Sequence, residues 1–449
     1  MTRAETMARH SRARRVWAAL AVYAERRVLI ILFLGFSAGL PLALSGSTLS
    51  LRMADQGVDL GTIGLFSLVG VPYTIKFLWA PLVDALAIPG LTRWLGRRRG
   101  WLVFTQILLI AAIIVLGSLD PMLSPWLVAL AALMVATASA TQDIVIDAFR
   151  IESLKDEEQA AGMAWYVAAY RVGMLSSTAG VVALVAILEA RGIDTASGWT
   201  IGYAAMGAMV LIGTAAALWA FEPETPVSPD TADNPPGARI LDTATAAFSD
   251  FLSRGHALAI LLFVILFKFC DAMAGAMMGP FVLDIGFDMA AYAGIVQGLG
   301  LAATLVGGFA GGAVARVLPM VTALWIAVII QGGSNLVYVW QAYIGVDHGA
   351  LALTVAAENF AGGIGTVIFV AYLSSLCGNT LYTATQFALL SALAALGRTV
   401  LSASAGYIAA AVGWPVFFSL TALAAVPTLA ILWLLQRWGH FTTQPPPAD

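Results

Sequence analysis

The sequence predicts an all-α integral membrane protein with about twelve transmembrane helices arranged as two six-helix halves. The 449 residues are 60% hydrophobic and 11% charged, with a mean hydropathy of +0.87. So few charges could not solvate a protein of this size in water. Roughly twelve apolar segments reach the length of about 20 residues that a bilayer requires. A polar stretch separates the first six segments from the last six.

The predicted spans follow one another closely within each half. Most connections between them are short, and several contain Gly or Pro, which favour turns. The segments are 28–51, 62–87, 101–119, 123–149, 160–189, 199–221, 256–284, 289–314, 319–345, 348–376, 380–411 and 413–437.

The chain is expected to divide into five regions. Residues 1–27 form a basic N-terminus, 28–221 a first helical bundle, 222–255 a linker, 256–438 a second bundle and 439–449 a disordered tail. The linker is rich in Pro, Asp, Thr and Glu and cannot bury enough apolar surface to order itself fully. We therefore expect it to be flexible or partly amphipathic.

The basic residues predict the orientation. Of the 23 Lys and Arg residues, only Arg52 and Arg191 fall in odd-numbered loops. Those inside spans are Lys76, Arg171, Lys268 and Arg398. The rest lie on the side of the even-numbered loops and both termini. Because basic loops remain in the cytoplasm, both termini are expected to be cytoplasmic.

The sequence gives no indication of enzymatic chemistry. Cys270 and Cys377 lie in predicted spans and form neither a disulfide framework nor a metal-ligand spacing. The sequence shows no nucleophile constellation and no Gly-rich phosphate loop. We therefore expect a non-enzyme without metal, cofactor or nucleic-acid partner, surrounded by membrane lipids.

The fourth span carries Asp143 and Asp147 one helical turn apart, on the same helix face. An ionisable residue at the bilayer centre costs about 2.5 to 3.5 kcal/mol, so such residues usually line a substrate or proton path. Two close carboxylates in a low dielectric disfavour double ionisation, so one can hold a proton near neutral pH. The alternative is structural, with Asp147 pairing with Arg150 or capping a neighbouring helix.

Two further acids are candidates for proton coupling, Asp271 in the seventh span and Glu358 in the tenth. Lys268 stands three residues before Asp271, so the two can form a buried ion pair that opens when an anion or proton arrives. Glu358 precedes a glycine-rich face. Glu358 could be a proton site or a structural partner for a neighbouring cation.

Polar and aromatic residues in the spans are candidates for substrate binding. Arginine offers a planar fork for carboxylates, although it can also clamp helices through backbone carbonyls. A lysine near a span end can snorkel to the interface, and aromatic rings can stack on sugars or merely pack. The candidates are Lys268, Arg171, Gln142, Asn359, Trp165, Tyr170, Arg398 and Lys76. Tyr166, between the two aromatic candidates in the sequence, could stack on a sugar in the same way.

Six sequence runs resemble one family of transporters. They are GFSAGLPL at 35–42, IGLFSLVG at 63–70, KFLWAPLVD at 76–84, GRRRGW at 96–101, QDIVIDA at 142–148 and ATQFALLSAL at 384–393. Together they resemble the AmpG-type muropeptide permeases of the major facilitator superfamily, which are related to acetyl-coenzyme A transporters. The resemblance implies two six-helix halves around a central cavity and a monomer.

The resemblance also implies an activity and a gate. The activity would be proton-driven import of GlcNAc-anhydro-MurNAc peptides across the bacterial inner membrane for cell-wall recycling, with a link to β-lactamase induction. Asp84 with Arg97, Arg98 and Arg99 resembles the superfamily's cytoplasmic gating motif. Alternatively, these arginines only keep their loop on the cytoplasmic side of the membrane and have no role in gating.

Two other functions remain open. The same fold could carry acetyl-coenzyme A or another amphiphilic anion, but a coenzyme A carrier would need a stronger basic cluster for its phosphates. A membrane receptor or membrane enzyme would not need deep carboxylates on several helices. We therefore favour a transporter of a carboxylated small molecule, coupled to protons.

The predicted topology can be tested with reporter fusions. A reporter fused after His440 and one inserted near Pro229 should both signal the cytoplasm, because both sites lie on the basic side of the membrane. A periplasmic signal from either position would contradict the twelve-span arrangement.

Overall fold

The computed structural model describes residues 21–58, 62, 66–223, 236–253, 255–287, 291–377, 381–402 and 404–441. Every regular element in these residues is helical. Within these described ranges, ten helical segments are long and apolar enough to cross a membrane. Two shorter apolar helices, Leu68–Leu78 and Thr383–Ala395, lie at the predicted second and eleventh spans. The all-helical membrane architecture is therefore confirmed.

The chain forms two compact units. The first comprises Met1–Thr245 with Cys377–Ala388, and the second comprises Ala246–Leu376 with Leu389–Asp449. The helices up to the linker are α1 (Arg26–Ser45), α2 (Ser47–Asp55), α3 (Val71–Ile75), α4 (Ala80–Ala85), α5 (Leu91–Leu95), α6 (Arg97–Ser118), α7 (Pro125–Ser153), α8 (Asp156–Leu175), α9 (Val181–Ala190) and α10 (Thr195–Trp219).

The remaining helices begin in the predicted linker, where residues 224–235 lie outside the described residues. They are α11 (Pro236–Leu252), α12 (Ala257–Phe267), α13 (Phe269–Asp284), α14 (Gly300–Val317), α15 (Met320–Ile344), α16 (His348–Ser375), α17 (Thr383–Ser402), α18 (Ala405–Val412), α19 (Trp414–Leu423) and α20 (Ala425–Arg437). The helix α11 occupies the second half of that linker. Residues 1–20 and 442–449, at the predicted basic N-terminus and tail, also lie outside the described residues.

Several spans are interrupted within their length. The first breaks at Gly46, between α1 and α2, and the seventh breaks at Lys268, between α12 and α13. The fifth passes through a π-helical turn at Ser176–Gly180, where serine and threonine hydroxyls donate to carbonyls of the preceding turn. Such breaks free backbone groups that only protein or water can satisfy.

In the first unit, α1 packs closely on α8 through small residues. Gly35 and Gly39 are four residues apart and face the backbone of Tyr166 and Tyr170. A Cβ atom at Gly39 would overlap the carbonyl oxygen of Tyr170. Small residues at this spacing let two membrane helices approach until their backbones touch. In the second unit, Gly307 and Gly311 of α14 meet α16 in the same way.

Both units share a second recurring contact. The indole Nε1 of Trp199 donates to Asp55 Oδ2 at 2.9 Å, and the indole Nε1 of Trp414 donates to Asp284 Oδ2 at 2.6 Å. In each case the acid ends the first span of a six-span set and the tryptophan lies near the start of the sixth. The contact therefore ties the first span of each set to the last.

Arg52 differs from its predicted position in a loop. It lies in the last turn of α2 and is 2% exposed. Its guanidinium donates to the carbonyls of Leu116, Gly117 and Leu119 at 3.0, 3.2 and 2.6 Å, and it lies over the ring of Tyr203. These carbonyls belong to the end of α6, where no intrahelical donor remains. Arg52 is thus a cap for α6.

The glycine contact between α1 and α8 predicts a stability difference. Gly39→Ala should lower the stability by about 1 to 3 kcal/mol, because the added methyl group forces the two helices apart. Thermal unfolding in detergent measures the effect. Gly333→Ala in α15 is the matched control, since a Cβ there meets no atom within 4 Å. Equal unfolding temperatures for the two variants would contradict the close packing of α1 on α8.

Candidate functional site

The first cluster joins Asp84 to the arginines of the GRRRGW run. The Arg98 side chain is fully buried. Its Nη2 donates to Asp84 Oδ1 at 2.8 Å and to Glu152 Oε1 at 2.5 Å, and its Nε donates to Glu152 Oε2 at 2.9 Å. Arg97 Nη1 donates to the backbone carbonyl of Asp84 at 2.9 Å. One guanidinium thus neutralises two buried carboxylates, with a bidentate geometry towards Glu152.

The second oxygen of Asp84 meets the start of α17. Asp84 Oδ2 accepts hydrogen bonds from the backbone N–H of Thr385 at 2.8 Å and from its hydroxyl at 2.7 Å. Thr385 lies in the first turn of α17, within the segment Cys377–Ala388 that belongs to the first unit. A carboxylate at a helix N-terminus also interacts favourably with the helix dipole. Asp84 therefore holds this segment through charge-assisted hydrogen bonds.

Glu222 caps the first turn of α6. Its carboxylate accepts hydrogen bonds from the backbone N–H groups of Arg98 and Arg99 at 2.7 and 3.0 Å. The Arg99 side chain donates to two carbonyls at the end of α10. Gly96 has a φ of +89°, and a Cβ there would collide with the Glu222 side chain. The three arginines consequently have three different sets of acceptors.

Sequence reasoning missed Glu152 and Glu222. Glu152 follows the predicted fourth span and Glu222 follows the sixth, whereas the arginine run precedes the third. All of them therefore lie on the same predicted side of the membrane. An acidic residue on the same predicted side as the arginines could have been proposed as an ion-pair partner. The sequence could not say which arginine it meets, because Arg98 and Glu152 are separated by 54 positions.

The second cluster lies around Asp143 on α7. Asp143 Oδ1 is buried and makes no hydrogen bond to the described residues. Lys76 and Asp147 are the charged groups that act on it electrostatically. Asp147 lies 3.7 Å from Arg150 Nη2, an ion pair within one turn of the helix. The two carboxylates of the fourth span are therefore not equivalent, since Asp147 has a cation beside it on its own helix.

Tyrosines complete the second cluster. Tyr166 and Tyr170 of α8 and Tyr73 of α3 lie within electrostatic range of Asp143. Tyr170 and Tyr166 stack obliquely, with ring centroids 6.0 Å apart. Tyr73 was not among the predicted site residues, because a single tyrosine in a span usually indicates packing. Of the predicted residues, the structure brings together Lys76, Asp143, Asp147 and Tyr170 here.

Two predicted binding residues face other parts of the first unit. Trp165 Nε1 donates to the carbonyl of Tyr23 at 2.9 Å, and the two rings form an edge contact. Gln142 Nε2 donates to Ser37 Oγ of α1 at 3.3 Å, and its Oε1 is buried without a hydrogen bond in the described structure. Arg171 is exposed on α8.

The third cluster lies in the second unit, at the break between α12 and α13. Lys268 Nζ donates to Asp271 Oδ2 at 2.9 Å and to the carbonyl of Gly362 at 3.2 Å. The side chains of Lys268 and Asp271 are 12% and 22% exposed. Lys268 therefore holds an acid of its own span and a backbone carbonyl of α16 at the same time.

Glu358 extends this cluster along α16. It is 7% exposed, and its Oε2 accepts a hydrogen bond from Asn359 Nδ2 at 2.8 Å. Thr304 Oγ1 donates in turn to Asn359 Oδ1 at 3.0 Å. Asp271 and Lys268 are the charged groups that act on Glu358. The side chain of Arg398, the remaining predicted binding residue, lies outside the described residues.

These clusters contain acids and bases but no arrangement for holding a metal. Across the described ranges, no group of three or more His, Cys, Asp or Glu residues is placed to bind a metal ion. The clusters consist of carboxylates, cationic side chains and hydroxyls inside helices that are long and apolar enough to span a membrane, a setting in which ionisable groups usually line a substrate or ion path.

This chain resembles transporters both in sequence and in fold. The family model of the Major Facilitator Superfamily matches residues 31–386. The anhydromuropeptide permease of Escherichia coli strain K12 is 41% identical over 427 residues, which cover 94% of this chain and 82% of that protein. A putative AmpG-type transporter of Rickettsia felis is 33% identical over 419 residues, covering 93% of this chain and 98% of that protein.

Solved structures resemble the fold at low sequence identity. The transporter FucP in its outward conformation has a TM-score of 0.65 at 12% identity, covering 92% of this chain and 99% of that chain. The likeness shows that the two chains share a fold. The chain belongs to the Major Facilitator Superfamily and, within it, to the AmpG-type permeases.

The Arg98 cluster predicts a large loss of stability when one acid is removed. Glu152→Gln should cost about 3 to 5 kcal/mol, because it leaves a buried guanidinium with half of its charge compensation. Thermal unfolding in detergent reports the loss. Glu157→Gln is the control, since Glu157 is an exposed acid in the first turn of α8. Unfolding of both variants at the wild-type temperature would show that Glu152 does not sustain the cluster.

Proposed function

We propose that this chain is a proton-coupled secondary transporter that imports anhydromuropeptides across the bacterial inner membrane for cell-wall recycling. The observation that carries this proposal is the 41% identity to an anhydromuropeptide permease over 94% of the chain. Identity at this level over both six-span sets makes a shared substrate class the simplest reading. We further propose that the protein works as a monomer with both termini in the cytoplasm, as the basic residues favour.

Asp143 is the proposed coupling site in the first unit. Its Oδ1 is buried without a hydrogen bond in the described structure, and Lys76 is the nearby cation that stabilises its charged form. Protonation removes the cost of holding a charge in a low dielectric. Because Asp147 has Arg150 beside it, Asp147 is proposed to tune Asp143 rather than to carry the transported proton.

The Lys268 cluster is proposed to sense the substrate. Anhydromuropeptides carry peptide carboxylates, and one of these can compete with Asp271 for the Lys268 ammonium. Asp271 released in this way would lie beside Glu358, and two neighbouring acids favour uptake of a proton. Binding of an anion and binding of a proton are thereby linked in one unit. Arg171, Asn359, Tyr170 and Arg398 are further candidates for contacting the substrate.

The Asp84 cluster is proposed to act as a gate. Asp84 Oδ2 holds the first turn of α17, while its Oδ1 is bound to Arg98. Breaking these hydrogen bonds would release the segment Cys377–Ala388 from the first unit. Since the contact includes a buried carboxylate, its release requires water or a proton to reach Asp84.

The proposed function can be tested in membrane vesicles with radiolabelled anhydromuropeptide. The wild type should accumulate the substrate when a proton gradient is imposed and should lose this uptake with an uncoupler. Asp143→Asn mimics the protonated residue, so this variant should still exchange substrate between labelled pools but lose gradient-driven accumulation. Asp147→Asn, the matched control on the same helix face, should have a milder effect.

Either of two results would contradict parts of this proposal. Uptake by the wild type that an uncoupler leaves unchanged would exclude proton coupling. Normal accumulation by Asp143→Asn would exclude Asp143 as the coupling site and would leave Asp271 or Glu358 as the next candidates.

A further inference from the structure

Hydroxyl groups are gathered beside Asp143 in the interior of the first unit. The hydroxyl of Tyr73 faces the hydroxyls of Ser139 and Ser45. It makes no direct hydrogen bond to the described residues, and the same is true of Ser139 Oγ. Ser139 and Ser45 are 1% and 3% exposed. Three buried hydroxyls thus lie near one another, and two of them lack a direct partner.

These hydroxyls come from three different helices. Ser139 lies on α7 one turn before Asp143 and therefore on the same face of the helix. Tyr73 belongs to α3, and Ser45 is the last residue of α1. Ser45 Oγ donates to the carbonyl of Pro41 at 2.9 Å, so its oxygen is still available as an acceptor. The group therefore extends from Asp143 to the end of α1.

The end of α1 leads to an exposed part of the chain. The first span is broken at Gly46, whose backbone is not helical, and the next residue, Ser47, is exposed. The distance along the chain from buried Ser45 to exposed Ser47 is two residues. At its other end the group includes Ser139, one helical turn before Asp143, and Asp143 Oδ1 is also buried without a hydrogen-bond partner in the described part of the chain.

A structural role does not account for this arrangement. Leaving a buried hydroxyl unpaired costs free energy, and native proteins normally avoid it by placing ordered water between the groups. A hydroxyl both donates and accepts, so a row of hydroxyls and waters can pass a proton along without any of them becoming charged for long. Buried hydroxyls placed only for packing would more often be replaced by apolar groups, or would bond to the nearest carbonyl, as many serines of these helices do.

We propose that Tyr73, Ser139 and Ser45, together with bound water, form a proton relay between Asp143 and the exposed break at Gly46. A proton enters from water at the break and each hydroxyl accepts one proton as it donates another. The last group donates to Asp143 Oδ1, so one O–H bond forms there and one breaks in the entering hydronium ion. The relay rests on the proposed role of Asp143 in coupling.

Other ionisable groups lie around Asp143. Lys76 is a neighbouring cation and Asp147 a neighbouring acid. The ionisable groups that face Asp143 from the elements packed around it are Lys76, Asp147, Tyr73, Tyr166 and Tyr170, and those that act on the two α8 tyrosines include Arg150 and Arg171.

The relay can be tested by removing one hydroxyl at a time. Tyr73→Phe should slow gradient-driven uptake on the order of tenfold, within the range seen when a proton-transfer group is removed. Substrate exchange between labelled pools, which needs no net proton movement, should stay at the wild-type rate. Uptake by the variant should also show a larger slowing in heavy water than uptake by the wild type, because proton transfer then limits the rate.

Two further variants make the test specific. Ser139→Ala should give the same pattern, and it keeps the experiment informative if Tyr73→Phe fails to fold. Tyr203→Phe is the matched control, since its buried hydroxyl already donates to the carbonyl of Leu44 at 3.0 Å. It should keep both uptake and the wild-type isotope effect.

Three outcomes would overturn the relay, each in a distinguishable way. Wild-type uptake and isotope effect in both Tyr73→Phe and Ser139→Ala would show that these hydroxyls carry no protons. If a variant loses both substrate exchange and gradient-driven accumulation, the hydroxyl has a role in substrate binding instead. Wild-type uptake that is insensitive to an uncoupler would overturn the proposed function itself, before any variant is considered.

Discussion

A charge inside a membrane-spanning helix must have a partner, and this constraint shapes much of the structure. Arg52 meets it with three backbone carbonyls, Arg98 with two carboxylates and Lys268 with Asp271 and a carbonyl. Each solution avoids the desolvation cost of a lone buried ion. Asp143 differs, because one of its oxygens makes no hydrogen bond to the described residues.

The interruption of the seventh span coincides with a charged cluster. Lys268 stands at the break between α12 and α13, where the helix leaves backbone groups unsatisfied and a side chain can reach α16. The break at Gly46 similarly exposes Ser47 two residues from buried Ser45. In lipid, irregular backbone is tolerated only where protein or water satisfies it. Breaks of this kind therefore lie where protein or water can satisfy the freed backbone groups.

Both units contain ionisable groups inside membrane-spanning helices, but the residues differ between the units. In the first unit, Asp143 lies among tyrosines, with Lys76 as its neighbouring cation and Asp147 as its neighbouring acid. In the second, the cation Lys268 is already bound to Asp271, with Glu358 beside them. The Trp–Asp contacts that tie the first span to the sixth are nevertheless alike in both units. The framework is thus repeated, while the ionisable groups inside it have diverged.

The sequence alone determined the class of protein and the approximate positions of its spans. Long apolar runs specify membrane helices, because a helix in lipid must satisfy its own backbone. Helix ends also follow local chemistry, because Asp194 and Asp347 cap α10 and α16 by accepting hydrogen bonds from backbone N–H groups three residues on. The i, i+3 spacing likewise anticipated the pair of Lys268 with Asp271.

Only the tertiary structure decided which distant residues meet. Spacing along a helix tells which face a residue occupies but not what lies opposite that face. Glu152 is bound to Arg98 across 54 positions, and Asp84 is bound to Thr385 across 301. Arg52, expected in a loop, is buried because the carbonyls at the end of α6 lie within its reach. These choices depend on how whole helices pack, a property that glycines such as Gly39 permit and no local pattern encodes.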